Sequence, residues 1–156
     1  MTATPTLSAT PGGEVVNPTN LGTLATGTNV LLNFDNFSSP VDNQPVPSNY
    51  AGSTWTTLVE GSPWAGDATW NIYVTSGGAQ GTITFPRPVL VRSIRVSSMS
   101  SNTYTLSSPG NPNVSLTTSG NTPQTLTTGW TTAVTSLTLR ASGGDQVFDD
   151  LRLTMN

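Results

Sequence analysis

Apolar residues in this chain come in short alternating runs, and turn formers interrupt them at intervals of about eight to twelve residues. "TWNIYV" (69–74) is typical. It puts Trp70, Ile72 and Val74 on one face and Asn71 and Tyr73 on the other. That period of two is the strand period, because successive side chains on a pleated backbone point to opposite faces. No segment keeps a helical period, and no internal repeat of fixed length emerges. Strand segments are expected at 30–37 ("VLLNFDNF"), around Trp55–Val59, and at 69–74, 82–85, 103–107, 113–117, 123–127, 135–141 and 147–155. "PRPVLVRSIRVSSM" adds another. There Val89 and Val91 share one parity and Ile94 and Val96 the other, so a bulge near Arg92–Ser93 is expected to restore a single core face. Roughly nine or ten strands with no helix predict an all-β fold, a two-sheet antiparallel β-sandwich of the jelly-roll kind.

Composition agrees with that fold. Only 34% of the 156 residues are apolar, but 28 are Thr and 18 are Ser. Threonine is β-branched and suits a half-buried pleated surface. The 15 Gly and 12 Pro supply turns. The length is that of one domain. "MTATPTLSATPGGE" has neither a basic nor an apolar signal-peptide region and reads as a linker, which sets the expected organisation at residues 1–14 linker and 15–156 a single module.

Several functions are disfavoured. The net charge is −3 with five Arg and no Lys, so no basic footprint for nucleic acid exists. No run of about 18 apolar residues is present to span a membrane as a helix. The sequence has no Cys and no His, which removes thiol chemistry, imidazole metal ligands and the usual general base.

Two like charges, Asp149 and Asp150, stand side by side in the last strand, "VFDDLRLTM". By strict alternation Asp149 shares its face with Val147, Leu151 and Leu153, so it is expected to point inward. A buried carboxylate needs a partner. From the residues alone, three partners stand open: a metal ion, backbone N–H groups in a turn, or an arginine such as Arg140. Adjacent strand residues diverge, so the pair is not a glycosidase acid/base couple, whose carboxyls converge across one bond.

The order of motifs, "NFDNF", then "NYAGSTW", then "ITFPRPVLVRSIRVSS" and finally "VFDDLRL", resembles the galactose-binding-like jelly-roll modules that serve as carbohydrate-binding modules in secreted polysaccharide-degrading proteins. The resemblance covers about residues 29–155. It implies that the first and last strands lie side by side. It also implies a structural Ca²⁺ near that junction, with Asp35 and Asp149 or Asp150 as its acidic ligands. It further implies a polysaccharide partner, a catalytic domain linked in the same chain, an extracellular location and a monomer.

A sugar site needs an exposed aromatic ring ringed by polar groups. Trp64 lies mid-loop in "VEGSPWAGDATW", with Glu60 and Asp67 nearby, and is the first candidate. Tyr73, which faces away from Ile72 and has Asn71 on its own face, is the second. Trp130 in "TTGWTTAV" is a third, read as a half-buried plug or a surface ring. Tyr50, Trp55, Trp70 and Tyr104 read as packing, and Arg92 and Arg95 as outward residues that favour solubility. The leading function is a non-catalytic carbohydrate-binding module. The alternative is a structural or adhesive cell-surface sandwich without a sugar site. An enzyme would have to work through Glu60 and Asp67.

Overall fold

A computed structural model describes residues 13–38, 40–63, 68–74, 80–144 and 146–156. Eleven strands follow one another: β1 (Glu14–Val16), β2 (Asn29–Leu32), β3 (Thr54–Thr56), β4 (Leu58–Gly61), β5 (Asn71–Val74), β6 (Gln80–Ser98), β7 (Asn102–Ser107), β8 (Val114–Thr118), β9 (Gln124–Thr127), β10 (Val134–Ala141) and β11 (Gln146–Met155). Single turns of 3-10 helix cover Leu21–Thr23 and Tyr50–Gly52. No α-helix occurs among the described residues.

The long strand β6 organises the molecule. Its first part pairs with β3 on one side and β10 on the other, and β10 continues to β7 and β8. Its second part pairs with β9 on one side and β11 on the other, and β11 continues to β2 and, through Phe148, to β5 and β4. Pro86 and Pro88 fall between the two parts. Proline donates nothing to a ladder, and here the strand is passing from one layer to the other. Arg87 clamps this corner by donating to Leu24 O (2.8 Å), Thr26 Oγ1 (3.0 Å) and Asn156 O (2.5 Å).

Inward residues of both layers belong to one apolar cluster. Ile83, Leu106, Leu137 and Leu139 come from the first layer, and Val91, Ile94, Leu151 and Leu153 from the second. The two-layer sandwich expected from the alternation is therefore the fold. β2 lies antiparallel to β11, with Leu32 opposite Leu151, so the N- and C-terminal parts are neighbours.

Three expectations change. Glu14, counted with the linker, begins β1, which pairs in parallel with β2 rather than antiparallel. The strand expected over 30–37 stops at Leu32, because Phe34 takes a left-handed φ of 60° and turns the chain. The bulge involves both strands. Register shifts occur between Asp149 and Arg152 and again between Arg152 and Leu153, opposite Val91–Arg95, and Asp150 adopts φ 46°.

That last shift moves the faces of β11. Phe148 stacks edge-on against Tyr104 in the core, with centroids 5.1 Å apart, and Leu151, Leu153 and Met155 follow in the core. One inserted residue separates Phe148 from Leu151, so Asp149 lies on the face opposite the core. It is nonetheless fully buried.

Candidate functional site

The acids come first. Asp149 and Arg95 are directly opposite on β11 and β6, and Arg95 Nη2 lies 2.5 Å from Asp149 Oδ2. Thr69 Oγ1 donates to the same oxygen (3.0 Å), and the Asp150 N–H donates to Asp149 Oδ1 (2.7 Å). Arg95 Nε reaches Asp150 Oδ2 at 3.1 Å. Two of the three open answers thus apply together: a backbone N–H and an arginine. The arginine is Arg95, not Arg140, and Asp149 is buried on the face away from the core, where Thr69 meets it.

Asp35 is exposed and accepts from the Trp70 N–H (3.2 Å), one residue from Thr69. Asp35 and the Asp149–Asp150 pair therefore approach residues 69–70, but as separate anchors. As a shared calcium set they fit poorly. A guanidinium already bonds both C-terminal carboxylates, and a divalent ion there would face a fixed positive charge. Among the described residues, no three acidic side chains converge as a metal site.

The motifs around this corner form an aromatic knot. Tyr50 packs against Phe34, Phe37 and Trp55, with centroids 5.1–5.8 Å apart. Its hydroxyl donates to Asn36 Oδ1 (2.7 Å) and reaches Asn17 Oδ1 (3.2 Å). Asn17 Oδ1 also takes the Asn33 N–H (2.9 Å). Burial pushes the Tyr50 hydroxyl well above its ordinary pKa of 10.0; a backbone hydrogen bond at Phe34 partly opposes this, and the Asp35 and Asp149 charges add to it. Trp55 donates to Tyr50 O (2.9 Å). "NFDNF" and "NYAGSTW" thus build a closed corner and offer no open ring.

The β4–β5 hairpin is different. Tyr73 is half-buried and faces away from the core-facing Ile72 and Val74. Its hydroxyl donates to the exposed Asn43 Oδ1 at 3.2 Å. Its pKa is raised by partial burial and then by the nearby Asp42 carboxylate. Glu60 holds this edge together. Its Oε2 accepts the Val41 N–H (2.9 Å), and its backbone pairs with Asn43 and Gln44 (2.9 and 2.7 Å). Glu60 is buried, so it positions the loop of residues 41–44 rather than meeting a ligand. Asn71 shares the face of Tyr73 as expected but is fully buried, donating to Ser62 O and Thr69 O (3.1 and 3.2 Å). A side chain at Gly61, its cross-strand partner, would collide with its amide. Trp64 and Asp67 lie outside the described residues.

Trp130 is buried, at 3% exposure, and its indole N–H donates to Pro112 O (2.8 Å). It floors a shallow depression of about 310 Å³ with Arg92, Ser93 and Thr127–Thr131. The plug reading holds, and no face of the ring is open for stacking. Trp55 and Tyr104 pack as expected, and Trp70 is half-buried against the core.

No family model and no curated protein matches the sequence. Solved structures that are similar include two carbohydrate-binding modules. One is CBM6cm-2 from Cellvibrio mixtus lichenase 5A, in complex with cellotriose. It has 12% identity and a TM-score of 0.44, over 85% of this chain and 99% of that one. The other is the C-terminal CBM6 of LamC, a marine laminarinase from Zobellia galactanivorans. It has 12% identity and a TM-score of 0.43, over 81% of this chain and 99% of that one.

Sequence reasoning read Arg95 as an outward residue that favours solubility, whereas it pairs with Asp149 and Asp150, and it missed Asp42 and Asn43. Arg95 could have been found once β6 was paired with β11, since it falls opposite Asp149. Asp42 and Asn43 sit in a proline-rich loop with no periodicity to aim them. Hydrogen bonds from distant residues do so: Ser62 N–H to Asp42 Oδ1 (2.9 Å), the Tyr73 hydroxyl to Asn43 Oδ1, and the Asn43 N–H to Glu60 O.

Proposed function

We propose that this chain is a non-catalytic carbohydrate-binding module that carries an attached secreted enzyme to polysaccharide. The observation that carries the reading is the Tyr73 edge. A half-exposed phenol ring stands on a rigid strand beside an amide (Asn43) and a carboxylate (Asp42). A sugar's C–H face lies on such a ring while its hydroxyls bond to the flanking polar groups. The role in delivery rests on the linker-like composition of residues 1–13, which would raise the local concentration of a tethered partner on its substrate.

Affinity electrophoresis in gels containing neutral β-glucans tests this. The protein is expected to be retarded, and Tyr73→Ala is expected to abolish retardation while leaving the melting transition in place. Unchanged mobility in every glucan, or full retardation of the variant, overturns the reading. A structural or adhesive module is the second reading. It is favoured by the burial of Trp55, Tyr104 and Trp130, which leaves few rings for stacking. It predicts no retardation at all.

A further inference from the structure

The first layer carries a surface that the Tyr73 edge does not use. On its outer face, β3, β6, β10, β7 and β8 present hydroxyl side chains in cross-strand register. Thr56 faces Thr82, Thr82 faces Thr138, and Thr138 faces Ser107. The next row runs from Gln80 through Arg140 and Thr105 to Ser115. Hydroxyls so placed recur about every 6.7 Å along a strand and about 4.8 Å between strands. Several already bond in pairs, Thr103 to Thr117 (2.8 Å) and Thr105 to Ser115 (2.9 Å), so their directions are fixed.

Arg140 is the one charge in these rows. It is exposed, and among the described residues its side chain has neither an ion pair nor a hydrogen bond. The other four arginines are all engaged: Arg87 at the corner, Arg92 with Thr154, Arg95 with Asp149 and Asp150, and Arg152 with Glu14. Around Arg140 lies a depression of about 280 Å³ lined by Thr103, Thr105 and Ser142. Its size suits one sugar ring.

We propose that this face binds an anionic polysaccharide, with Arg140 holding the carboxylate or sulfate and the remaining lone pairs of the Thr103, Thr105 and Ser142 hydroxyl oxygens, already oriented by Thr117, Ser115 and Asn102, accepting from the ring that carries it. A guanidinium offers paired N–H groups in a fixed fork that matches a carboxylate or sulfate. No acid stands in these rows to compete for it. The molecule as a whole, at net charge −3, repels an anionic chain and so directs it to this face. A five-stranded sheet twists by roughly 20° per strand, which disfavours a flat crystalline surface and suits a single flexible chain.

Affinity electrophoresis in gels containing alginate, a sulfated galactan or a neutral β-glucan tests this, with Arg140→Gln, Thr105→Val and Tyr73→Ala run beside the parent protein. Retardation is expected in alginate, the sulfated galactan or both, and the gel that retards identifies which anion is held. Added salt should weaken it. Arg140→Gln should weaken it about tenfold, as loss of a charged hydrogen bond does. Thr105→Val keeps the β-branched shape and should weaken it less. Tyr73→Ala should leave it unchanged, which separates this face from the hairpin edge. Failure of both anionic gels to retard the protein overturns the proposal. So does retardation that survives Arg140→Gln in a variant that melts like the parent.

Discussion

The two layers of this sandwich face the solvent in opposite ways. Outside the second layer, charge is abundant and spoken for: Arg95 pairs with Asp149 and Asp150, Arg152 pairs with Glu14, and Thr69 bonds the central pair. Outside the first layer, registered hydroxyls surround one arginine with no described partner. The same strand, β6, contributes to both. Charged side chains in this chain therefore serve mainly to close the corner where the first and last strands meet. The surface open to a ligand is built from neutral hydroxyls and a few isolated polar groups.

The sharpest way to break that contrast is to remove one arginine from each layer. Arg95→Gln leaves Asp149 buried without its counter-charge. Loss of one partner of a buried pair costs about 3 kcal/mol, a fall of roughly 6–12 °C in melting temperature for a domain of this size. Arg140→Gln should change stability by less than about 0.5 kcal/mol, as exposed substitutions do. Equal losses in urea denaturation would erase the distinction between the layers.

Alkali should act through the buried tyrosines, Tyr50 at the aromatic corner and Tyr104 on β7, whose hydroxyls burial holds above their ordinary pKa. The ionisation of Tyr50 is held above its unfolded value of 10.0. Its stabilising contribution is therefore complete below about pH 10 and is lost as pH rises toward the folded value. At pH 11 the parent protein should have lost about 1 kcal/mol relative to Tyr50→Phe, since one pH unit corresponds to at most about 1.4 kcal/mol per group. Parallel stability curves for the two proteins between pH 9 and pH 11 would count against the buried hydroxyl.

The bulge at Asp150 can be sharpened by comparing two variants. Both remove the charge, but asparagine tolerates a left-handed φ better than alanine. Asp150→Ala is expected to be less stable than Asp150→Asn by roughly 1 kcal/mol. Equal stabilities would mean that the conformation at this residue is not what sets the register. The smallest effect concerns calcium. With Arg95 bonded to both carboxylates, millimolar Ca²⁺ or EDTA should leave the melting temperature in place. A rise with Ca²⁺ would show that an ion displaces the guanidinium.

Much of this was legible in the residues. β7, β8, β9, β10 and β11 fall within a residue or so of the segments read from alternation, because each keeps a period of two between clear turn signals. The adjacency of β2 and β11 was implied by the family resemblance. The burial of Asp149 was foreseen, but for the wrong reason. Alternation carried unbroken through Asp150 aims it at the core, whereas one left-handed residue moves it to the other face. A bulge of that kind depends on pairing with a distant strand, and no local pattern announces it. The same holds for Glu60 and Asn71. Their residue types suit a sugar site, but the loop folded over them makes them internal anchors. The hydroxyl rows went unread because threonines aligned across five strands are far apart in the chain.

Amide chemical shifts of the ¹⁵N-labelled protein, followed during titration with a neutral glucan and separately with alginate, test the division of labour most directly. The account predicts that alginate moves the signals of Thr103, Thr105, Arg140 and Ser142, that glucan moves those of Asn43 and Tyr73, and that Arg95, Asp149 and Asp150 stay put in both. Shifts centred on Arg95 and Asp149, or none anywhere with either polymer, would contradict it.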